Sequence, residues 1–374
     1  MLLRPHVARA AARYFVEHFH GTTLYAVKAN PSPDLLRALW LGGIRAFDVA
    51  SLAEVRLVAE TLPGARLAFM HPVKAEEAIA EAYQAYGVRI FSLDSHDELA
   101  KIMRATGNAP DLTLCVRIAV SSEHAKLSLA TKFGTLPEEL PGLLMAARQA
   151  ADALGLCFHV GSQTMAPQAY SHALERARAA IVASGVTVDV VDVGGGFPSI
   201  YPGMEPEALG GYFEVIHKGF EDLPISYSAE LWCEPGRALS AEYSSLIVRV
   251  EKRRGDELYI NDGAYGALFD AAHIGWRFPV KLLRASGARV QAFSFYGPTC
   301  DDLDHMAGPF MLPEDIAVGD YIEIGMLGAY GAAMRTGFNG FGMGETHIVS
   351  DAPMASMYAD DEGVSALPRQ HKTG

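Results

Sequence analysis

The chain contains an apolar run with a single lysine in it, Leu24-Tyr25-Ala26-Val27-Lys28-Ala29-Asn30-Pro31. The apolar residues predict a buried strand, and Pro31 ends it. A lysine at the end of a buried strand is unfavourable unless its amino group pairs or reacts. Lys28 is therefore either a strand-end lysine that reaches for solvent or a Schiff-base lysine activated by desolvation. The rest of the sequence decides between these two interpretations of Lys28.

The composition is that of a globular protein with a sizeable core. The chain has 374 residues, of which 50% are hydrophobic, enough for two domains. Its formal net charge of −13 argues against nucleic acid or an anionic membrane as a partner. No apolar run is long enough to span a membrane, and residues 1–20 lack the apolar core of a secretory signal. We therefore expect a cytoplasmic protein.

The four cysteines form no Cys-x-x-Cys pair, so we expect neither a zinc site nor a redox motif. Cys115, Cys157 and Cys233 lie in apolar runs and are predicted to be buried. Cys300 differs, because it lies in the polar stretch Gly297-Pro298-Thr299-Cys300-Asp301-Asp302.

Strand-like and helix-like segments alternate along the chain up to about residue 240. Eight apolar segments are predicted strands: Thr23–Val27, Ile44–Val49, Arg66–Met70, Arg89–Leu93, Leu112–Ile118, Leu156–Val160, Val188–Val193 and Ile225–Cys233. Amphipathic segments predict helices at 5–19, Pro33–Leu41, Ser51–Thr61, Lys74–Tyr86, Ser95–Ala105, Pro137–Leu154, Pro167–Ser184 and Glu205–Phe220. Eight such units predict an α/β fold with a parallel sheet closed into a (β/α)8 TIM-type barrel; a doubly wound open sheet would not require this count.

Beyond about residue 240 the pattern changes to short β-branched or aromatic segments separated by turns. The predicted strands there are Tyr243–Val250, Leu258–Asn261, Val290–Tyr296 and Tyr321–Ile324. We therefore predict two domains, a cofactor-binding barrel over residues 1–240 and a mainly β C-terminal domain over residues 241–374.

Polar and glycine-rich residues follow six of the predicted barrel strands, and function gathers at these carboxyl ends in such barrels. In chain order they are Lys28, Asp48, Arg117, His159 to Ser162, Gly194 to Gly196, and Glu234 to Arg237. A single histidine or glycine turn is more often structural. Six such ends on one rim favour a functional site.

The glycines predict an anion site. Gly194-Gly195-Gly196 and Gly236 follow the last two strands, where glycine backbones can turn their N–H groups toward a phosphate. Arg237 would add a charged donor. A reactive lysine, a phosphate cup and a carboxylate together indicate pyridoxal 5′-phosphate. Glu234 would pair with its ring nitrogen, and His159 would stack on its ring.

Six blocks of sequence resemble the signature blocks of the ornithine decarboxylase family, in the alanine-racemase-like, fold-type III group of pyridoxal-phosphate enzymes. The blocks occur in family order: Tyr25–Asn30, Phe47–Ser51, His159–Ser162, Gly194–Pro198, Glu234–Arg237 and Gly297–Asp301. The resemblance implies a decarboxylase of a basic amino acid, first of all one that converts L-ornithine to putrescine in polyamine biosynthesis. Lysine or another diamino acid, including a D-form, is the alternative substrate.

The resemblance also implies roles for individual residues. Lys28 would bind the cofactor covalently, and Cys300 would protonate the carbanion left when carbon dioxide departs. The other cofactor-binding residues would be Asp48, Arg117, His159, Ser162, Gly195, Gly196, Glu234, Gly236, Arg237 and Tyr330, supported by Glu54 and Lys132. The substrate would be bound by Asp301, at its distal amine, and by Asp270 and Tyr265. In this family the loop with Cys300 reaches the partner subunit's site, which implies a homodimer with shared active sites.

Three features depart from the family pattern. The family begins with a β-domain strand before the barrel, whereas here the first predicted helix starts almost at once. His71-Pro72-Val73-Lys74 replaces the usual Asn-Pro-Cys-Lys, and the family's second substrate aspartate lies slightly beyond Asp270. These departures leave the length and stereochemistry of the substrate open.

Two other functions are weighed against decarboxylation. An amino-acid racemase shares the fold but usually has a tyrosine where Cys300 lies. A catalytically inactive regulator that binds the cofactor would typically lose the lysine or the phosphate-binding residues. The Gly297–Asp301 block argues against the first, and Lys28 with the glycines argues against the second.

Overall fold

A computed structural model describes most of the chain, at residues 1–120, 123–127, 132–342 and 344–358. The described helices are α1 Pro5–His18, α2 Pro33–Leu41, α3 Leu52–Thr61, α4 Glu76–Tyr86, α5 His96–Ala105, α6 Leu140–Ala150, α7 Gln168–Ser184, α8 Leu209–Glu221, α9 Arg237–Ser240 and α10 Phe269–His273. None of the helices within these ranges is long and apolar enough to cross a membrane.

The strands in the described residues alternate with these helices in the first part of the chain and then follow one another. They are β1 Leu2–Leu3, β2 Thr22–Ala26, β3 Ala46–Val49, β4 Arg66–Phe69, β5 Ile90–Leu93, β6 Thr113–Arg117, β7 Ala125–Leu127, β8 Ala153–Cys157, β9 Ser162–Thr164, β10 Val190–Asp192, β11 Glu230–Cys233, β12 Ser244–Arg254, β13 Glu257–Ile260, β14 Val280–Leu282, β15 Val290–Tyr296, β16 His305–Pro313, β17 Tyr321–Ile324 and β18 His347–Ile348.

The chain forms two compact units. The barrel unit contains residues 11–198 and 206–236, and the β unit contains residues 1–10, 199–205 and the chain from Arg237 onward. The predicted domain boundary was residue 240, whereas the chain passes from the barrel unit to the β unit between Gly236 and Arg237. Residues 1–10 and 199–205 also belong to the β unit, so a single boundary does not divide the chain correctly.

The barrel unit is a closed parallel barrel of eight strands, as predicted. Its strand order is β2-β3-β4-β5-β6-β8-β10-β11, and β11 pairs with β2 to close the ring. Apolar side chains of different sizes form a buried cluster: Leu24, Ala46, Ala68, Met70, Ile90, Cys115, Cys157, Val190 and Trp232. Cys115, Cys157 and Cys233 are buried free thiols and Cys300 is exposed, which confirms the prediction made from their surroundings.

Two barrel strands start three or more residues away from the predicted position, whereas the other six start within two residues of it. Strand β8 begins at Ala153 rather than Leu156, because helix α6 already ends at Ala150. Strand β11 begins at Glu230 rather than Ile225, since residues 225–229 form a turn in which the Ala229 N–H donates to the Ile225 carbonyl. In both segments the apolar residues fit either assignment, and pairing with the neighbouring strands decides between them.

The β unit contains one mixed sheet with the strand order β14-β17-β12-β13-β15-β16, to which β1 is added beside β12 and β18 beside β1. The expectation that no β-domain strand precedes the first helix is wrong, because β1 pairs antiparallel with β12. A two-residue strand is too short to show any periodicity. Arg4, next to it, is buried and donates to the carboxylate of Glu323 (2.9 Å) and to Ser245 Oγ (2.9 Å).

A buried ion pair lies in the barrel unit where the sequence has His71-Pro72-Val73-Lys74. Lys74 Nζ lies 2.9 Å from Glu98 Oε1 and donates to the Ser92 carbonyl at 2.5 Å, and both charged side chains are almost fully buried. Burial lowers the pKa of Lys74 to about 8, and the carboxylate of Glu98 opposes this shift. The pair therefore joins the loop after β4 to the end of β5 and to α5.

Glu98→Gln should lower the free energy of unfolding by about 3–5 kcal/mol, because it leaves the Lys74 ammonium buried without its counter-charge. Urea unfolding followed by circular dichroism measures the change. Glu76→Gln is the matched control, since it removes an exposed ion pair with Arg104 (2.9 Å) and should have little effect. Equal losses in the two variants would show that burial adds nothing to the contribution of the Lys74–Glu98 pair.

Candidate active site

The predicted rim exists in the barrel unit, because the eight strands are parallel and end on the same side. Asp48 lies in β3, Arg117 is the last residue of β6, and Glu234 directly follows β11. His159 lies two residues beyond the end of β8, and Ser162 begins β9. The structure therefore brings these sequence-predicted residues together at one end of the barrel.

Lys28 does not end a strand but lies in a single turn of 3-10 helix, Val27–Ala29, directly after β2. Its Nζ lies 2.8 Å from Oδ2 of Asp48 on the adjacent strand β3. The Asp48 side chain is 2% exposed, whereas that of Lys28 is 42% exposed. A buried carboxylate thus holds the lysine amino group at the barrel rim, where it remains accessible.

Glu54 belongs to the same side of the rim through the start of helix α3. The Ser51 hydroxyl accepts the Glu54 N–H (3.2 Å), while the Glu54 carboxylate accepts the N–H of Ala50 (2.7 Å). The first bond caps the helix at Ser51, and the second is made to the residue just before this N-cap. Burial, and to a smaller extent the Asp48 carboxylate, raise the pKa of Glu54.

His159 has the properties of a neutral ring. Its Nδ1 accepts the N–H of Gly161 at 3.0 Å, so a proton on the neutral ring is carried by Nε2. Burial and then the charges of Arg117 and Lys28 hold the pKa of His159 well below its usual value. An uncharged imidazole at this position can stack on an aromatic ligand.

The Gly194-Gly195-Gly196 turn needs its glycines for conformation and for space. Gly194 and Gly196 have φ of +69° and +109°, which side-chain-bearing residues rarely adopt. A Cβ at Gly195 would lie 2.7 Å from the Glu234 carbonyl oxygen and 3.0 Å from His159 Nε2. The turn therefore lies directly between Glu234 and His159, with no room for a side chain.

Glu234 has a buried carboxyl oxygen, Oε1, without a hydrogen-bond partner among the described residues. Burial, followed by the carboxylates of Asp192 and Asp48, raises the pKa of Glu234 well above its usual value. Such a group needs a partner that supplies or shares a proton. A protonated pyridine nitrogen is a partner of this kind.

In the β unit, Arg237 is surrounded by aromatic rings. Its guanidinium lies 4.1 Å from the centroid of Trp276 and 4.8 Å from that of Tyr330, and it donates to the Tyr201 hydroxyl at 3.1 Å. Its buried Nε has no hydrogen-bond partner among the described residues. Asp270 provides a carboxylate 3.7 Å from Nη2. An anion is the group that would complete this arrangement.

The loop with Cys300 and Asp301 also lies in the β unit. The Cys300 thiol is exposed and donates weakly to Oδ1 of Asn339 (3.5 Å). Asp301 accepts a short hydrogen bond from the Tyr265 hydroxyl, and its Oδ1 accepts the Leu303 N–H (3.0 Å). The Tyr265 bond lowers the pKa of Asp301, which therefore carries its negative charge at neutral pH.

Asp304 is a buried residue that holds two loops of the β unit together and that sequence reasoning missed. It is buried, and its carboxylate accepts the N–H groups of Ala264 (2.7 Å) and Thr299 (3.0 Å). It thereby connects the loop with Tyr265 to the loop with Cys300 and Asp301. Gly297 and Gly263 are required beside it, because a Cβ at either would lie 2.1 Å from its Oδ1. The pairing of two glycine-containing loops around one aspartate leaves no periodic signal in the sequence.

Comparison with known proteins agrees with this geometry. Residues 5–241 match the family described as pyridoxal-dependent decarboxylase, pyridoxal binding domain. The lysine/ornithine decarboxylase of Selenomonas ruminantium is 33% identical over 91% of this chain and 86% of its own length. The chain belongs to this decarboxylase family.

Solved structures of the family have the same fold. The Paramecium bursaria Chlorella virus arginine decarboxylase bound to agmatine has a TM-score of 0.83 and 27% identity, over 93% of this chain and 96% of its own. The Vibrio vulnificus lysine/ornithine decarboxylase complexed with cadaverine has a TM-score of 0.80 and 30% identity, over 94% of each chain. The protein is thus a pyridoxal-phosphate-dependent decarboxylase of basic amino acids, with a fold-type III architecture.

The residues of the barrel unit fit the cofactor. The unpartnered Oε1 of Glu234 is suited to the ring nitrogen, and the turn at Gly195 leaves open the space that a Cβ would fill. The amino group of Lys28 is accessible for covalent attachment. A bound cofactor would therefore give the buried carboxyl group of Glu234, which has a raised pKa, the partner that it needs.

Lys28→Ala should abolish the visible absorption band of the covalently attached cofactor and nearly all turnover, because no other group would form that bond. Absorbance spectroscopy of the purified protein and an assay of carbon dioxide release measure the two effects. Lys126→Ala, which changes an exposed lysine of β7 in the same unit, should leave both unchanged. Near-normal turnover of K28A would contradict the assignment of Lys28.

Proposed function

We propose that the protein decarboxylates L-ornithine to putrescine and carbon dioxide, with L-lysine as the next best substrate. The observation that carries this proposal is the carboxylate of Asp301 beside the Cys300 thiol, held by Tyr265. An ionised carboxylate is the natural partner for the distal ammonium of a diamino acid. The Selenomonas relative, described as a lysine/ornithine decarboxylase, supports the same pair of substrates.

Some residues of the proposed site would bind the cofactor, and others would hold or donate a proton. When bound, pyridoxal phosphate withdraws the electrons that remain on the α-carbon as carbon dioxide leaves. Glu234 would hold a proton at the ring nitrogen, and the neutral ring of His159 would pack against the cofactor ring. Ser162, Gly195, Gly196 and Gly236 would donate to the phosphate. Arg237 and Tyr330 are proposed for the same role because the resemblance implies it. Asp48 holds the Lys28 amino group in place during substrate exchange.

Cys300 is the proposed proton donor to the α-carbon after decarboxylation. Its thiol is exposed, and Asn339 is within hydrogen-bonding distance of both its N–H (3.4 Å) and its Sγ (3.5 Å). The resemblance assigns this loop to the active site of a second subunit, so that the protein acts as a homodimer with shared sites. Asp270, beside Arg237, is proposed as a second carboxylate for the substrate.

We also place the enzyme in the cytoplasm and in polyamine biosynthesis. Four free cysteines, one of them exposed, suit a reducing compartment. A diamine product suits the proposed pathway.

Asp301→Ala should raise KM for L-ornithine about 10- to 100-fold, because the variant loses a charge-assisted bond to the distal ammonium. Carbon dioxide release should be measured with L- and D-ornithine, L- and D-lysine, L-arginine and diaminopimelate. Asp302→Ala removes the adjacent, exposed carboxylate and is the matched control, which should leave KM unchanged. If the KM of D301A is unchanged for every diamino acid, Asp301 does not bind the distal ammonium and Asp270 becomes the candidate. If the wild-type protein prefers another substrate, the proposal of L-ornithine is wrong.

Mixing Lys28→Ala with Cys300→Ala protein should restore activity if the sites are shared. In a heterodimer one site then carries both lesions and the other carries neither. Random exchange at equal amounts gives about half heterodimers, so activity should rise to roughly a quarter of wild type.

The control mixture is Cys300→Ala with Asp301→Ala. Both lesions lie on the same loop, so each site of this heterodimer keeps one lesion and activity should not recover. Mass spectrometry of the intact dimers confirms that subunits have exchanged. Exchange without recovery in the first mixture would show that each site is built from a single chain.

A further inference from the structure

The glycine turn, residues 194–196, follows β10 in the barrel unit, and the carbonyl groups of its first and last residues are held by backbone donors. The Gly194 carbonyl accepts the N–H of Glu234 at 2.8 Å. The Gly196 carbonyl accepts the N–H of Thr164, in β9, at 2.9 Å. Because both donors are backbone groups, these two bonds need no particular side chain.

The carbonyl of Gly195, in the middle of the turn, is held by a side chain instead. Tyr170 lies in the first turn of helix α7, and its hydroxyl donates to the Gly195 carbonyl at 3.0 Å. Tyr170 is fully buried, and its ring centroid lies 5.3 Å from that of Phe197 and 6.2 Å from that of Tyr212. Burial raises the pKa of Tyr170 well above its usual value, so the hydroxyl keeps the proton that it donates.

Each anchored carbonyl also sets the direction of an N–H group. In a trans peptide unit the carbonyl and the N–H of the next residue point in opposite directions. The bond from Tyr170 therefore directs the N–H of Gly196 away from the Tyr170 hydroxyl, and the bond from Glu234 likewise orients the N–H of Gly195. Among the residues that the structure describes, neither of these N–H groups has an acceptor. Oriented N–H groups without acceptors are suited to binding an anion.

The sequence does not show this role of Tyr170, because any aromatic residue at this position fits the buried face of α7. A phenylalanine would fill the same space, but it would leave the Gly195 carbonyl without this donor. A buried carbonyl that has lost its donor favours other orientations of its peptide unit, in which the N–H of Gly196 no longer faces the anion. The hydroxyl is thus the part of Tyr170 on which the turn depends.

We propose that Tyr170 is a positioning residue for phosphate binding, whose hydroxyl fixes the Gly195 carbonyl so that the N–H of Gly196 stays directed at the phosphate of the cofactor. Tyr170 acts through the turn and not by contact with the cofactor. This inference rests on the proposed phosphate-binding role of Gly195 and Gly196. A residue behind the rim thereby determines how well the rim binds an anion.

The test compares pyridoxal 5′-phosphate with pyridoxal, which lacks the phosphate, by fluorescence titration of the full-length apoprotein. Tyr170→Phe should raise the Kd of pyridoxal phosphate about 10-fold, because the ligand then has to order the peptide unit between Gly195 and Gly196. The Kd of pyridoxal should stay within about 3-fold of wild type, since pyridoxal has no phosphate for the turn to bind.

Tyr212→Phe is the matched control. Tyr212 is equally buried, and its hydroxyl donates at 2.8 Å to the carbonyl of Thr164, which belongs to a peptide unit outside the turn. Its loss should leave both Kd values within about 3-fold of wild type. Tyr170→p-aminophenylalanine keeps a neutral donor at the same ring position and should bind pyridoxal phosphate within about 3-fold of wild type. Thermal unfolding of each apoprotein shows which variants are folded.

A loss of affinity in Y170F that is confined to pyridoxal phosphate supports the inference. The inference is wrong if Y170F binds both ligands like the wild type, or if it binds both more weakly by the same factor. If Y170F does not fold, the p-aminophenylalanine variant decides, and a weakened affinity for pyridoxal phosphate in that folded variant overturns the inference. If the wild-type protein binds pyridoxal as tightly as pyridoxal phosphate, the proposed phosphate site itself fails, and the inference fails with it.

Discussion

The structure depends on the closure of eight parallel strands into a barrel. Closure leaves no free strand edge, and it brings the carboxyl ends of strands that are distant in sequence onto one rim. Lys28 and Asp48 are 20 residues apart and lie on neighbouring strands, where their side chains meet at 2.8 Å. Glu234 is far away in sequence but follows β11, which pairs with β2 and so completes the same rim.

Closure also concentrates charge where water is scarce. Three carboxyl groups, Asp48, Asp192 and Glu234, act on one another at the rim, against the cations Lys28 and Arg117. Without a ligand such a cluster has to retain protons, because isolated buried charges are unfavourable. A cationic ring nitrogen relieves this excess of negative charge. The electrostatics of the barrel unit thus favour the cofactor before any contact with its phosphate is considered.

The β unit holds the loop with the exposed thiol of Cys300 and the carboxylate of Asp301 in a defined arrangement. Asp304 organises that loop through bonds to the backbone of Ala264 and Thr299, and it needs glycine on both sides. Tyr265 then fixes the carboxylate of Asp301. A buried aspartate that accepts backbone N–H groups therefore fixes the arrangement of this loop within the β unit.

The sequence by itself determined the eight-stranded barrel and the cofactor, and it singled out the glycine turn and Lys28. Each of these depends on local patterns, such as the apolar segment before Lys28 or Gly194-Gly195-Gly196 after a strand. Only the tertiary structure decided the start of β8 and β11, the short strand β1, and the burial of Asp192 and Asp304. Pairing with the neighbouring strands sets where β8 and β11 begin, and β1 needs β12 as a partner. Asp304 accepts N–H groups from two loops that folding brings to it, and burial, which the sequence does not display, raises the pKa of Asp192.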